Sequence, residues 1–480
     1  MNYSLIFRLI GNILLIEALL MLVPLAVSII YGGGDYTAFL LAILISTLIG
    51  IFLSLLKPTD KKFRTKDALI ATALAWIFLS LFGALPFYFS GYFNSFIDCA
   101  FESISGFTTT GASILTNVEI LPKGILFWRS FSQWIGGIGI LVFLLAITPS
   151  INASSINLLR AEGTGPSDKF IPKIRETAKF MFLIYFIMTA ILIFLLYTVG
   201  LPIYDSVLNA FSTAGTGGFS IMNANISAYN NIAAETIITI FMFLFGISFT
   251  LYFILLGKNI KKFFKDEELR LYFGIIITAI IIITLNISGL YSGFLEALRY
   301  SSFQVSSIIS TTAFTITDFN LWPTLSQIIL LFLMITGCCA GSTGGGIKLA
   351  RILILWKTLK NELNKIFHPG SVKTVTINEK NIKQDLITNT TLYFFIYFII
   401  FFVAVLLISI EGKDLITSTT TIIASLSNIG LGLGAIGPVG NFAIFSSFSK
   451  IVISFCMLAG RLEFFPILLL LTPSAWKKTL

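Results

Sequence analysis

The chain has 480 residues, of which 56% are hydrophobic and only 11% charged, with a net charge of +9 and a mean hydropathy of +0.93. A soluble protein of this length would carry about 25% charge, so the composition excludes a soluble enzyme or binding module and indicates a polytopic membrane protein. The basic balance does not indicate nucleic acid, because Lys and Arg cluster in four loops, 57–66, 160–179, 258–270 and 348–383. The positive-inside rule places such loops on the cytoplasmic face. Cys99, Cys338, Cys339 and Cys456 form no CxxC pair and read as buried small apolar residues. His368, the single histidine, lies in a charged loop, so a histidine metal site or triad has little support.

In chain order, the first apolar segment spans about 6–31. It is too long for a signal-peptide core and has no small-x-small cleavage site, so it reads as a membrane helix. A second follows at 37–56, and residues 1–57 form an N-terminal helix pair. Four further pairs follow: 68–90 with 124–148, 177–199 with 233–257, 271–290 with 322–356, and 388–410 with 441–472. They define four units, 66–150, 175–258, 268–360 and 383–475, each leaving the cytoplasm and returning to it. The expected fold is all-α, with ten transmembrane helices and both termini cytoplasmic.

The outer connections, 91–123, 200–232, 291–321 and 411–440, are poor in Lys and Arg yet too apolar for hydrated loops. Each holds a short apolar run and then a Ser/Thr/Gly-rich stretch: GFTTTGAS (106–113), STAGTGGFS (212–220), SIISTTAF (307–314) and SLSNIGLG (425–432). A half-helix that enters the membrane and returns as extended backbone fits, since non-helical backbone at that depth must line protein or a water-filled cavity. Aligning Gly111, Gly217, Ala313 and Gly430 gives four like-oriented repeats, expected in a pseudo-fourfold ring. The expected lining is Thr109, Thr110 and Gly111; Gly215, Thr216 and Gly217; Thr311, Thr312 and Ala313; and Asn428, Ile429 and Gly430. Ringed backbone carbonyls replace the hydration shell of a cation, as in a potassium filter. Glycine permits the positive φ that turns carbonyls inward. The bland alternative is helix packing by small residues.

Within 322–356 the apolar run breaks at Gly337 and again at Gly341, Ser342, Thr343, Gly344, Gly345 and Gly346. Glycine-rich backbone does not stay helical without cost, so a loop is expected to cross the pathway below the filter, as a gate. A phosphate loop is a poor alternative, because Ile347, Lys348 and Leu349 follow where Lys-Ser/Thr is needed. Arg461 and Glu463 lie inside the last apolar segment, where charges usually face a pathway or pair. Arg461 is expected either to limit cation flow or to hold the loop through backbone carbonyls, against a local Arg461–Glu463 arrangement. Lys348 reads equally as a pathway charge or a cytoplasmic anchor. Glu463 is the one acidic residue expected at membrane depth.

These runs, together with SQWIGGIG (132–139), RAEGTGPSDKFIPKIRETAK (160–179), GSTGGGIK (341–348) and AGRLE (459–463), resemble the TrkH/KtrB family of potassium-uptake proteins over essentially the whole chain. The extra N-terminal helix pair favours the TrkH branch. The resemblance implies four pore modules around one ion pathway, an intramembrane loop at 341–346, a pore arginine at Arg461 and a homodimer. It further implies a cytosolic, nucleotide-binding regulatory subunit of the TrkA type, and residence in a prokaryotic inner membrane. Potassium is the expected transported substrate, with no bound organic cofactor and no nucleic-acid partner. Family third repeats commonly carry glycine where Ala313 falls, which leaves strict fourfold coordination open. The competing readings are a symporter coupled to protons or sodium, and a poorly selective sodium/potassium pathway. No catalytic constellation is present, so an enzyme is not expected. Loops 160–179 and 348–383 are the expected docking surfaces.

Overall fold

A computed structural model describes residues 2–57, 65–147, 174–257, 260–368 and 374–476. The expected docking segment 160–173 and parts of the other basic loops, at 58–64, 258–259 and 369–373, lie outside the described residues.

The N-terminal region holds α1 (Tyr3–Leu20), α2 (Leu22–Tyr31) and α3 (Tyr36–Ser54). The first unit is α4 (Thr65–Gly83), α5 (Leu85–Ser90), α6 (Phe96–Phe107) and α7 (Lys123–Ile147). The second is α8 (Ile174–Thr198), α9 (Ile203–Ala214), α10 (Ile232–Phe245), α11 (Phe249–Leu256) and α12 (Ile260–Lys265). The third is α13 (Glu267–Ile287), α14 (Phe294–Ile309), α15 (Thr324–Thr336) and α16 (Leu349–Phe367). The last is α17 (Gln384–Ser409), α18 (Leu415–Leu426), α19 (Ser447–Arg461) and α20 (Phe465–Leu471). The all-α expectation needs one small correction. Between α16 and α17, β1 (Thr376–Ile377) pairs antiparallel with β2 (Lys380–Asn381).

Among the described residues, six helical stretches are long and apolar enough to cross a membrane, or seven if the bent pair α10–α11 counts as one span. By contrast α6, α9 and α18 have 12 residues each and α14 has 16. At 1.5 Å per residue, 12 residues reach about 18 Å, short of the ~30 Å hydrocarbon core. Side-chain caps start two of these short helices: Ser95 Oγ accepts from Asp98 N–H (3.2 Å) and Asp414 Oδ2 from Thr417 N–H (2.9 Å). Such caps satisfy a donor that the first helical turn leaves open.

Two expected single helices are divided. The 233–257 segment bends by 91° between α10 and α11. The 441–472 segment breaks after Arg461, where Glu463 and Phe464 adopt φ of 55° and 66°. The 6–31 and 68–90 segments are each one span with a one-residue interruption, at Met21 and Ala84. A non-glycine residue in the left-handed region costs about 1–2 kcal/mol, so the Glu463–Phe464 break is held by tertiary contacts. One apolar cluster joins α6 and α7 to α17, α18 and α19, and so packs the first unit on the last. A second gathers α13, α14 and α15 around Cys338 and Cys339, and a third gathers α8 to α11.

Candidate functional site

Each short helix ends in the same way. The residue after its C-cap is left-handed: Thr109 (φ 56°), Thr216 (54°), Thr311 (63°) and Asn428 (53°). Two residues later the backbone is left-handed again, at Gly111 (81°), Gly218 (73°), Ala313 (61°) and Gly430 (75°). In every copy the first of these residues donates its N–H to the carbonyl three back, and the next residue donates to the carbonyl five back. The bonds are Thr109 to Gly106 (3.0 Å) and Thr110 to Ser105 (2.9 Å); Thr216 to Thr213 (3.1 Å) and Gly217 to Ser212 (2.9 Å). They recur as Thr311 to Ile308 (3.1 Å) and Thr312 to Ser307 (2.9 Å), and as Asn428 to Ser425 (3.3 Å) and Ile429 to Ala424 (2.9 Å). This is the Schellman helix ending, usually made with glycine at its left-handed position. Here Thr or Asn occupies it.

The backbone corrects the second copy of the sequence alignment. Gly111 corresponds to Gly218, not Gly217, and the equivalent triplets are Thr109–Gly111, Thr216–Gly218, Thr311–Ala313 and Asn428–Gly430. Gly215 is the right-handed C-cap of α9 and lies outside the triplet. The pattern Thr/Asn-x-Gly/Ala, common to all four, was the available signal; two adjacent glycines obscured it. Ala313 keeps its place and adopts the same left-handed φ as its glycine counterparts.

With N–H groups turned back onto the half-helices, the triplet carbonyls face elsewhere. Among the described residues, none of them accepts a hydrogen bond. All the triplet residues except Gly111 are fully buried. The segments abut one another in order. A β-carbon built on Gly111 would collide with the Gly217 carbonyl oxygen, one on Gly218 with that of Thr312, and one on Gly430 with that of Thr110. Ala313 shares an apolar cluster with Ile429 and Leu433. Side-chain bonds add rigidity: Thr108 to Thr110 (2.8 Å), Ser310 to Thr312 (2.8 Å), and Asn428 Nδ2 to Thr110 Oγ1 (2.9 Å) and the Met457 carbonyl (2.9 Å).

Behind the first two segments lies an ion pair that the sequence reading missed. Arg129 and Glu102 meet at 2.8 Å with side chains 2% and 0% exposed. Glu102 accepts from Ser113 Oγ (2.9 Å) and Ile114 N–H (3.1 Å); Arg129 donates to the Ser220 carbonyl (3.2 Å). Gln133 Oε1 accepts from Phe219 N–H (3.1 Å). Charges inside apolar runs were the signal, the same one that singled out Arg461.

The glycine-rich break is a non-helical loop, residues 337–348, entered at Gly337 (φ 66°) and left at Lys348 (φ 78°). It lies against the segments: Gly345 N–H donates to Thr311 Oγ1 (2.8 Å) and Gly346 N–H to the Ser427 carbonyl (3.0 Å). On its other side Cys339 N–H donates to the Gly246 carbonyl (3.1 Å), and Phe249 N–H donates to the Gly341 carbonyl (3.0 Å). Thr343 hydrogen-bonds the Phe245 carbonyl (3.4 Å), and Ser342 Oγ donates to the Cys339 carbonyl (2.6 Å). Two residues outside the loop hold its chain. Arg461 donates to the carbonyls of Thr343 (2.9 Å) and Gly136 (2.5 Å), which ties the loop to the first and last units. Glu268 Oε1 accepts from Ala340 N–H (2.7 Å), within the loop, and from Ala350 N–H (3.0 Å), in the first turn of α16 that follows it. Glu268 lies in the first turn of α13, inside the basic stretch 258–270, and the sequence reading gave it no role. Lys348 is half-buried and its ammonium reaches the Gly344 carbonyl. Glu463 pairs with Arg351, which also lies 4.1 Å from the centre of the Tyr393 ring. Glu463 is half-buried, and it is not the one acid in the apolar segments: Glu17, in α1, is 1% exposed.

The TrkH family pattern, described as a cation transport protein, matches residues 36–478. The chain is 35% identical over 485 residues to the Trk system potassium uptake protein TrkH of Salmonella typhimurium, covering 100% of both. It is equally similar to its namesake in Escherichia coli K12, at 35% over 100% of both chains. The crystal structure of the potassium transporter TrkH from Vibrio parahaemolyticus superposes with a TM-score of 0.90 at 31% identity, covering 99% of this chain and 100% of that one.

Proposed function

Because this chain belongs to the TrkH family of cation transport proteins, and so is a membrane transporter rather than an enzyme, we propose that it takes up potassium through a channel-like pore. The pore is lined by the carbonyls of Thr109–Gly111, Thr216–Gly218, Thr311–Ala313 and Asn428–Gly430. One observation carries this reading: four buried rows of carbonyl oxygens that accept no hydrogen bond among the described residues. A buried, unpaired backbone group costs free energy comparable to a lost hydrogen bond. A dehydrated cation on the axis would satisfy many such oxygens at once. Alternating left-handed and ordinary φ along a strand turns successive carbonyls to one side, which supports a ring of oxygens. The four units would surround that axis within ten crossings, with both termini cytoplasmic.

The loop 337–348 is then the gate. Gly345 and Gly346 bond the undersides of the third and fourth segments, and Arg461 holds the loop across the pathway. Membrane potential drives entry, supplying about 2.3 kcal/mol per cation at 100 mV. The relatives are named as parts of a Trk system. Those names support a system with further parts; the pairing of this chain as a homodimer, with a TrkA-like regulatory subunit at the cytoplasmic face of a prokaryotic inner membrane, is our extension of that reading.

The test is cation flux into proteoliposomes holding the full chain, with potassium and sodium gradients applied in turn. Potassium flux far above sodium and set by voltage is the expected result. Equal sodium flux would remove the potassium-selective reading, and stoichiometric proton movement would replace the channel with a symporter.

A further inference from the structure

Between α1, α4, α6 and α7 lies a cavity of about 50 Å³, lined by Ile13, Glu17, Trp76, Leu79, Phe107 and Ile135 among others. Its one acidic group is Glu17. That side chain is 1% exposed, and neither carboxyl oxygen has a hydrogen-bond partner among the described residues. The neighbours offer no relief. The Ser103 hydroxyl, which flanks the same glycine face at Gly83, donates to the Ser80 carbonyl (2.6 Å). Nearby charges on the packed helices are engaged elsewhere: Asp98 with Lys450 (2.6 Å) and Glu102 with Arg129 (2.8 Å). Arg461 lies 5.8 Å from the Trp76 ring centre but bonds the loop.

An intramembrane acid without a partner calls for a ligand. An inorganic cation wants about six oxygens around it, and the lining side chains offer the two of Glu17. One carboxyl group set among aromatic and aliphatic walls is instead the chemistry that holds an organic ammonium: a counter-charge, ring faces for the cation, and apolar surface for its carbons. The volume corresponds to roughly three to five water molecules, which limits the ligand to a few heavy atoms. We propose that this cavity is a binding site for a small primary alkylammonium ion, with Glu17 as its anionic contact.

The site would report to the pathway. Phe107 is the last residue of α6, directly before Thr108, and Trp76 lies beneath Arg461. Binding itself does not rest on the transport reading, whereas this coupling does.

The experiment uses the purified full chain in detergent and n-propylammonium, with n-propanol as the uncharged isostere. Saturating propylammonium is expected to raise the Tm by about 2 °C or more, while propanol leaves it unchanged. Glu17→Gln, which keeps the shape and loses the charge, is expected to weaken binding at least tenfold. Should that variant not fold, Ala75→Leu fills the cavity and leaves the acid in place; it should lose binding equally. No saturable shift in the wild type, an equal shift with propanol, or undiminished binding by either variant overturns the site. In proteoliposomes propylammonium should change potassium flux in the wild type and not in Glu17→Gln. Binding without a flux change overturns the coupling alone, and absent potassium flux in every sample indicts the transport reading instead.

Discussion

The segments Thr108–Gly111 and Ser310–Ala313 share a backbone and differ in what holds it. Both close their half-helices with the same pair of N–H bonds, and both link hydroxyls two residues apart at 2.8 Å. Seven residues before the first left-handed position, however, the first unit has Glu102, fully engaged with Arg129, Ser113 and Ile114. The third has Gln304, whose two polar atoms are buried without a partner among the described residues. The first segment ends on Gly111, the third on Ala313 at φ 61°. The third segment also takes its Thr311 bond from the proposed gating loop, through Gly345. The backbone geometry is therefore set locally, by the helix ending, while the surrounding support is exchangeable. Strain and loop contact are concentrated on the third segment and the ionic clamp on the first.

That contrast can be broken at several points. Arg129→Ala leaves Glu102 as a buried, unpaired charge and should cost about 3–5 kcal/mol, seen as a large fall in Tm in detergent. A drop of under about 1 kcal/mol would mean the clamp is not what supports the first segment. Glu268→Ala removes two hydrogen bonds to a charged acceptor, each worth about 1.5–3 kcal/mol. Basal potassium flux without any partner should rise several-fold, and Glu268→Gln, which keeps an acceptor oxygen, should rise less. Unaltered flux would show that the loop does not close the pathway. Gly218→Ala imposes about 1–2 kcal/mol of left-handed strain and a collision with the Thr312 carbonyl, so potassium flux should fall about tenfold or more. At Gly217 an added methyl meets the Gln133 side chain rather than backbone; if Gly217→Ala is the more damaging of the two, the backbone register is wrong. Ala313→Gly relieves about 1 kcal/mol. A small rise in Tm together with a higher potassium-to-sodium ratio is expected, and a lower ratio would show that the alanine is part of the selectivity.

The spans, the half-helices and the glycine-rich break were legible because each rests on a composition rule that acts locally. Hydrophobic length marks α3, α8, α13 and α17, and consecutive glycines cannot sustain a helix at 341–346. What was not legible depends on contacts across the chain. Thr109, Thr216, Thr311 and Asn428 occupy positions that favour glycine, so nothing in the residues themselves announces a left-handed backbone. Gly217 and Gly218 then compete for one aligned position, and the left-handed backbone falls on Gly218. Glu463 and Phe464 break a helix against their own preference, a choice made by packing on Tyr393 and Tyr397. Glu268 shows no role until Ala340 and Ala350 arrive beside it from 72 and 82 residues away.

The 91° bend between α10 and α11 has a consequence for time rather than for position. A bent helix leaves a donor and an acceptor without their usual partners, here Phe249 N–H and the Gly246 carbonyl. The loop supplies both, through Gly341 and Cys339. Withdrawing the loop would strip two backbone groups together, at about 1–3 kcal/mol each. Under the gate proposed above, departure is a single event with a waiting time. Electrical records from one molecule should show abrupt steps between fixed current levels, with dwell times lengthened by every bond the loop retains, rather than a current that slides smoothly between extremes.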